Sequence, residues 1–76
     1  MRMAKPIGDI AIGQRAAEEV WRIFKKSAAA SRALGCDVKT IYQWDGGTVP
    51  GGLMLARLHY LGCDVMYILT GKRQDA

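Results

Sequence analysis

The chain has 76 residues, half of them hydrophobic, with two cysteines and a formal net charge of +4. A chain of that length holds one core and buries only about 60–65% of its unfolded surface, so one compact domain is expected. With no run of 18 apolar residues and no signal-peptide core, the composition argues against a membrane span or secretion and points to the cytoplasm. The basic balance suits an anionic partner.

In chain order, Met1–Gly8 reads as an arm that carries Arg2 and Lys5 and is broken by Pro6 and Gly8. Asp9 or a near neighbour caps a first helix running to about Lys26. Its apolar residues Ile12, Ala16, Val20, Ile23 and Phe24 fall three to four apart on one face. Ala28–Leu34 and Val38–Trp44 form two short helices, and Asp45–Val49 is a loop. Pro50 opens a fourth helix, since proline favours the first helical position, with Leu55, Ala56, Leu58 and Leu61 as its apolar surface. Gly51 and Gly52 weaken that first turn and leave room for a longer loop. Asp64 caps a fifth helix in which Val65, Ile68 and Leu69 face the core, and Gly71 ends it. Lys72 and Arg73 lead into a tail at 74–76. No strand pattern competes, so the fold class is all-α.

The stretch Ser27–Trp44 (SAAASRALGCDVKTIYQW) carries the functional signal. Gly35 stands where the first short helix must stop, and glycine adopts the left-handed conformation of such a stop without steric cost. Asp37 stands one residue before Val38, where its carboxylate can cap the next helix. Ala30, Leu34, Cys36, Ile41 and Trp44 meet between the two helices if these cross steeply, while Ala33 can pack to either side. Val38, Lys39, Thr40, Tyr42 and Gln43 then point away from that contact. Two short helices, a glycine turn and a polar outer face describe a helix-turn-helix, which places its second helix in the DNA major groove. The pentapeptide Leu-Gly-Cys-Asp-Val occurs at 34–38 and again at 61–65. It reads as one solution used twice: helix end, glycine stop, small apolar pivot, aspartate cap.

From Arg15 to Arg73 the chain resembles the phage repressor and Cro group of helix-turn-helix proteins. The resemblance rests on Ser27–Trp44, on the segment WDGGTVP (44–50) and on the ending LGCDVMYILTGKR (61–73). In that group an aromatic residue ends the recognition helix, a glycine-bearing loop leads to a proline-started helix, and the last helix closes on Leu-Thr-Gly. Trp44, Gly46, Gly47, Pro50 and Leu69-Thr70-Gly71 fill those places. Two departures are Ser31, where the group usually has alanine, and the tight join at Lys26-Ser27. The resemblance implies a five-helix, lambda-repressor-like domain that binds DNA.

On such a domain, Val38, Lys39, Tyr42 and Gln43 are the expected base contacts. Gln43 can pair bidentately with adenine, Lys39 can donate to guanine and Val38 can touch a thymine methyl. Tyr42 has the alternative of packing as a surface aromatic. Lys26, Ser27, Arg32, Thr40 and Thr48 are the expected backbone contacts, helped by the N-terminus of the second helix, and Lys25 lies near the same face. One recognition helix covers too few base pairs for tight specific binding, so a homodimer on an inverted-repeat operator is expected. Tyr60, Met66 and Tyr67 are its candidate interface, with the alternative that Met66 and Tyr67 cover the first helix. His59 reads as a partly exposed helix residue and assembles no nucleophile–base pair, acid pair or phosphate loop, so no enzymatic activity is expected. Cys36 and Cys63 lack metal-ligand spacing and a reducing cytosol keeps them free, so no disulfide, metal or cofactor is expected. No membrane partner and no small-molecule ligand are expected either. The reading is a DNA-binding transcriptional regulator, a Cro-like or accessory repressor of a phage or mobile element. A protein-interaction module, such as the DNA-binding-like antitoxin of a toxin–antitoxin pair, is the alternative from another class.

Overall fold

In the computed structural model, which describes residues 9–73, five helices follow one another: α1 (Asp9–Ile23), α2 (Ser27–Leu34), α3 (Val38–Asp45), α4 (Gly52–Tyr60) and α5 (Val65–Thr70). No strand occurs among the described residues. The expected arm 1–8, the side-chain cap at Asp9 and the tail 74–76 lie outside them. Helix α1 is the hub: it packs chiefly against α3 and α5 and more lightly against α2, while α4 bridges α2 and α5. Ala16, Ala17 and Val20 of α1 meet Ala30 and Leu34 of α2, Ile41 and Trp44 of α3, Leu58, Cys63 and Ile68 in one buried cluster. Small residues on α1 let its neighbours come close. A Cβ on Gly13 would run into the carbonyl oxygens of Trp44 and Thr48, so α1 crosses the end of α3 at a distance that only glycine allows.

The two copies of Leu-Gly-Cys-Asp-Val form matching corners. Gly35 has φ 70° and Gly62 φ 99°. The next N–H reaches back over each stop, Cys36 N to Ser31 O at 3.2 Å and Cys63 N to Leu58 O at 2.9 Å, satisfying carbonyls that the helix end leaves open. Each aspartate then caps the helix that follows: Asp37 accepts from Lys39 N at 3.2 Å and Asp64 from Tyr67 N at 2.9 Å. The hydroxyl of Ser31, the residue that departs from the usual alanine, donates to Cys36 O and ties the first corner further.

Several boundaries and faces differ from the sequence reading. Helix α1 ends at Ile23 rather than Lys26, because Lys26 turns extended (φ −123°, ψ 138°) to serve as the N-cap of α2. Helix α2 thus starts at Ser27, one residue early, and α3 runs one residue further, to Asp45. Pro50 does not open α4. It is buried in the preceding loop, and α4 begins at Gly52 with Gly51 extended before it, since two successive glycines carry the largest entropy cost a helix start can meet. Leu69 and Ala56, expected inward, are exposed. The reason at Leu69 is the position of α1, which lies on the Tyr67–Ile68 side of α5. There the Tyr67 hydroxyl meets Glu18 of α1 and Ile68 is fully buried, which leaves Leu69 on the open side of the helix.

Glu19 is the one fully buried charged side chain among the described residues. Its carboxylate accepts two hydrogen bonds from Arg22 (3.0 and 2.9 Å), one from Arg73 (2.8 Å) and one from the backbone N–H of Asp64 (2.8 Å). Burial pushes the carboxyl up, but the bonds from Arg22, Asp64 and Arg73 outweigh it and hold the group at about 2. Arg73 also lies over the Tyr67 ring, 3.9 Å from its centroid, and approaches Asp64 at 3.6 Å. The end of the chain after α5 is thereby fastened to α1.

Candidate functional site

The outer surface of α2 and α3 is where polar side chains lack partners. The capped start of α3 sets its rotation: Ile41 and Trp44 point into the core, and Lys39, Tyr42 and Gln43 are exposed on the other side. Val38 and Thr40, expected to point away, are half-buried at the edge of that face. Tyr42 packs as a surface aromatic and remains largely exposed. Its ring packs against Trp21 of α1, centroids 5.9 Å apart and planes tilted 38°, yet 57% of it stays open to solvent. Trp21 went unnoticed in the sequence, although it follows Ala17 by four residues and so extends the apolar surface of α1 beside Ala17.

The arginines and lysines divide by use. Arg22 and Arg73 hold Glu19. Arg15 closes the end of α5, and Arg57 donates to Leu34 O at 3.0 Å at the end of α2. Lys25, Lys26, Arg32 and Lys39 are exposed and make no ion pair among the described residues. Lys26 and Ser27 stand at the start of α2, where no side chain caps the first turn, so its backbone N–H groups remain available. Thr48 is exposed just past α3, its own N–H bonded to Gln43 O at 2.9 Å. Arg32 stands apart from this set. It lines a groove between α2 and α4, at the opposite end of α2 from Lys26.

Of the three residues expected at a dimer contact, Tyr67 stands apart from Tyr60 and Met66. Tyr60 and Met66 are exposed, Tyr60 at 88%, on the α4 and α5 surfaces. Tyr67 instead covers α1: its hydroxyl donates to Glu18 at 2.7 Å, which raises its pKa, and Arg73 stacks on its ring. His59 is exposed on α4. Cys36 and Cys63 are unpaired thiols. Burial pushes both up, Cys63 to about 11, with Asp37 and Glu19 respectively adding to the effect. No helix among the described residues is long and apolar enough to cross a membrane. The chain matches no protein-family model, no curated protein and no solved structure.

Proposed function

We propose that the protein is a sequence-specific DNA-binding transcriptional regulator of the phage repressor and Cro type, with α2 and α3 as its helix-turn-helix. The observation that carries this reading is the division of α3: Ile41 and Trp44 anchor one face in the core, while Lys39, Tyr42 and Gln43 present hydrogen-bonding groups to solvent. A helix held in this way can enter the major groove without disturbing the fold. In the proposed complex Gln43 and Lys39 read base edges, with Val38 and Tyr42 beside them. Lys26, Ser27, Thr40 and Thr48 hold phosphates, using the open N–H groups at the start of α2. The exposed lysines near this face supply the sequence-independent attraction, and two copies bind the halves of an inverted repeat.

The test is selection of binding sites from a random duplex library at physiological salt. An inverted repeat should emerge, and Gln43→Ala should then cost about 1–3 kcal/mol on the selected site with random DNA little affected. Lys26→Ala should weaken all sequences alike and lower the salt slope by about one. A library that yields no enriched site, or equal losses for Gln43→Ala on selected and random duplexes, would defeat the assignment of α3 as the reading helix.

A further inference from the structure

Helix α4 carries an outward stripe that the chain's own core does not use. Leu53, Ala56 and Tyr60 stand at i, i+3 and i+7 and share one face of the helix. All three are exposed, Leu53 at 68%, while Leu58 of the same helix points the opposite way into the core. An apolar groove follows each side of this ridge. Ala33, Leu34 and Leu61 lie in the groove toward α2, and Leu55, Val65 and Leu69 in the one toward α5; Ala56 borders both.

This face also has little free charge. Arg57, beside the ridge, donates to Leu34 O, and Asp64, in the α5 groove, is taken by Tyr67 N and Arg73. Arg32 and His59 are the other basic or acidic side chains bordering the two grooves, and Lys25, Lys26, Lys39 and Lys72 border neither. Two chains of net charge +4 repel, so they meet most easily where unpaired cations are fewest. A strongly acidic partner would find few charges to pair with here.

We infer that a second copy of this chain docks on this face, α4 against α4, about a two-fold axis near Ala56. An isologous contact sets a patch against itself, and a ridge flanked by two grooves is suited to that: Leu53 and Tyr60 of each copy enter the grooves beside Ala56 of the other. Ala56, the smallest of the three, lets the two backbones approach at the axis. Tyr60 alone exposes most of the ~150–250 Å² that an aromatic side chain can bury, toward the ~800 Å² that each partner of a standard interface contributes. The inference deepens the DNA-binding reading by naming the surface that holds two α3 helices on one inverted repeat. Tyr67, held on α1, has no part in it.

Sedimentation equilibrium of the full chain without DNA tests it. The wild type should be a dimer at micromolar concentration, and Ala56→Glu or Tyr60→Glu should weaken self-association about tenfold or more. Helical circular dichroism and the thermal midpoint of the dissociated protein should be kept, since both positions are exposed. Ala56→Cys should form a disulfide-linked dimer under mild air oxidation, whereas the wild type, with Cys36 half-buried and Cys63 buried, should not. A wild type that sediments as a monomer, a dimer that both glutamates leave intact, or an Ala56→Cys protein that does not cross-link would each overturn the assignment; the cross-link decides if a glutamate variant unfolds. A dimer that selects no DNA site would defeat the DNA-binding reading and leave this one standing. A selected site bound by one copy alone would do the reverse.

Discussion

The corners at Leu34–Val38 and Leu61–Val65 share one sequence and the same devices, a left-handed glycine and an aspartate cap, yet they serve different ends. In the first, Asp37 is exposed and does nothing but cap α3, Cys36 is half-buried, and the helix beyond opens its polar face to solvent. In the second, Asp64 caps α5, pairs with Arg73 and gives its N–H to Glu19, and Cys63 is 4% exposed. What differs is what lies behind each corner. An apolar floor of Leu34, Ile41 and Trp44 supports the first, whereas a buried carboxylate with donors from three residues supports the second. Identical local chemistry leaves one corner free to meet a ligand and commits the other to holding the chain together. Net charge read from composition cannot separate the two, because it counts the arginines paired with the protein's own acceptors together with the unpaired lysines.

The largest effect should come from the floor of the first corner. Trp44→Ala should cost about 3–5 kcal/mol, since it empties a site that is 2% exposed at the meeting of α1, α2 and α3. That is a large share of the stability of so small a domain, and thermal unfolding reads it directly. A cooperative transition with an unchanged midpoint would show that the first corner does not depend on its apolar support.

Next comes the carboxylate behind the second corner. Glu19→Ala should cost about 1–3 kcal/mol near neutral pH, mainly by leaving the Asp64 N–H without its acceptor, since Arg22 and Arg73 are partly exposed and can turn to water. The folded protein holds Glu19 at about 2 against an ordinary value of 4.5. Its contribution is therefore complete above pH 4.5 and fades as pH falls toward 2. Denaturant titrations across that window should show the gap between wild type and Glu19→Ala closing with acid. A gap of constant size would mean that Glu19 acts by packing and not by charge.

The two caps offer a comparison within one protein. Asp37→Ala should cost about 0.5–1 kcal/mol, the loss of a cap alone, and Asp64→Ala about 1–2 kcal/mol, because it also loses its pairing with Arg73. Equal costs would deny the second corner its additional role. The smallest signal is chemical: a neutral alkylating reagent should label Cys36 in the native protein well before Cys63, and mass spectrometry after partial labelling distinguishes them. Equal rates would show that the second corner opens as readily as the first.

The sequence by itself determined the features that act over a few residues. Apolar spacing and end signals indicated five helices, though several of their bounds moved; Gly35, Gly62 and Gly71 marked stops, and Asp37 and Asp64 marked starts, because a left-handed glycine or a capping carboxylate works within one turn of the backbone. The inward set Ala30, Leu34, Ile41 and Trp44, and the outward set Lys39, Tyr42 and Gln43, follow from the same short-range geometry. The tertiary structure decided what depends on partners far along the chain. Glu19 meets the N–H of Asp64 45 residues later and the guanidinium of Arg73 54 residues later, and Arg15 reaches carbonyls more than 50 residues away. No local pattern announces such pairs, so the burial of Glu19 could not be foreseen, and whether Tyr67 would cover α1 or face a second copy stayed open until its hydroxyl was seen on Glu18. The same holds for Leu69 and Ala56, both of which are exposed. A side chain's face on a short helix is settled by which neighbour packs there, and that choice belongs to the whole fold.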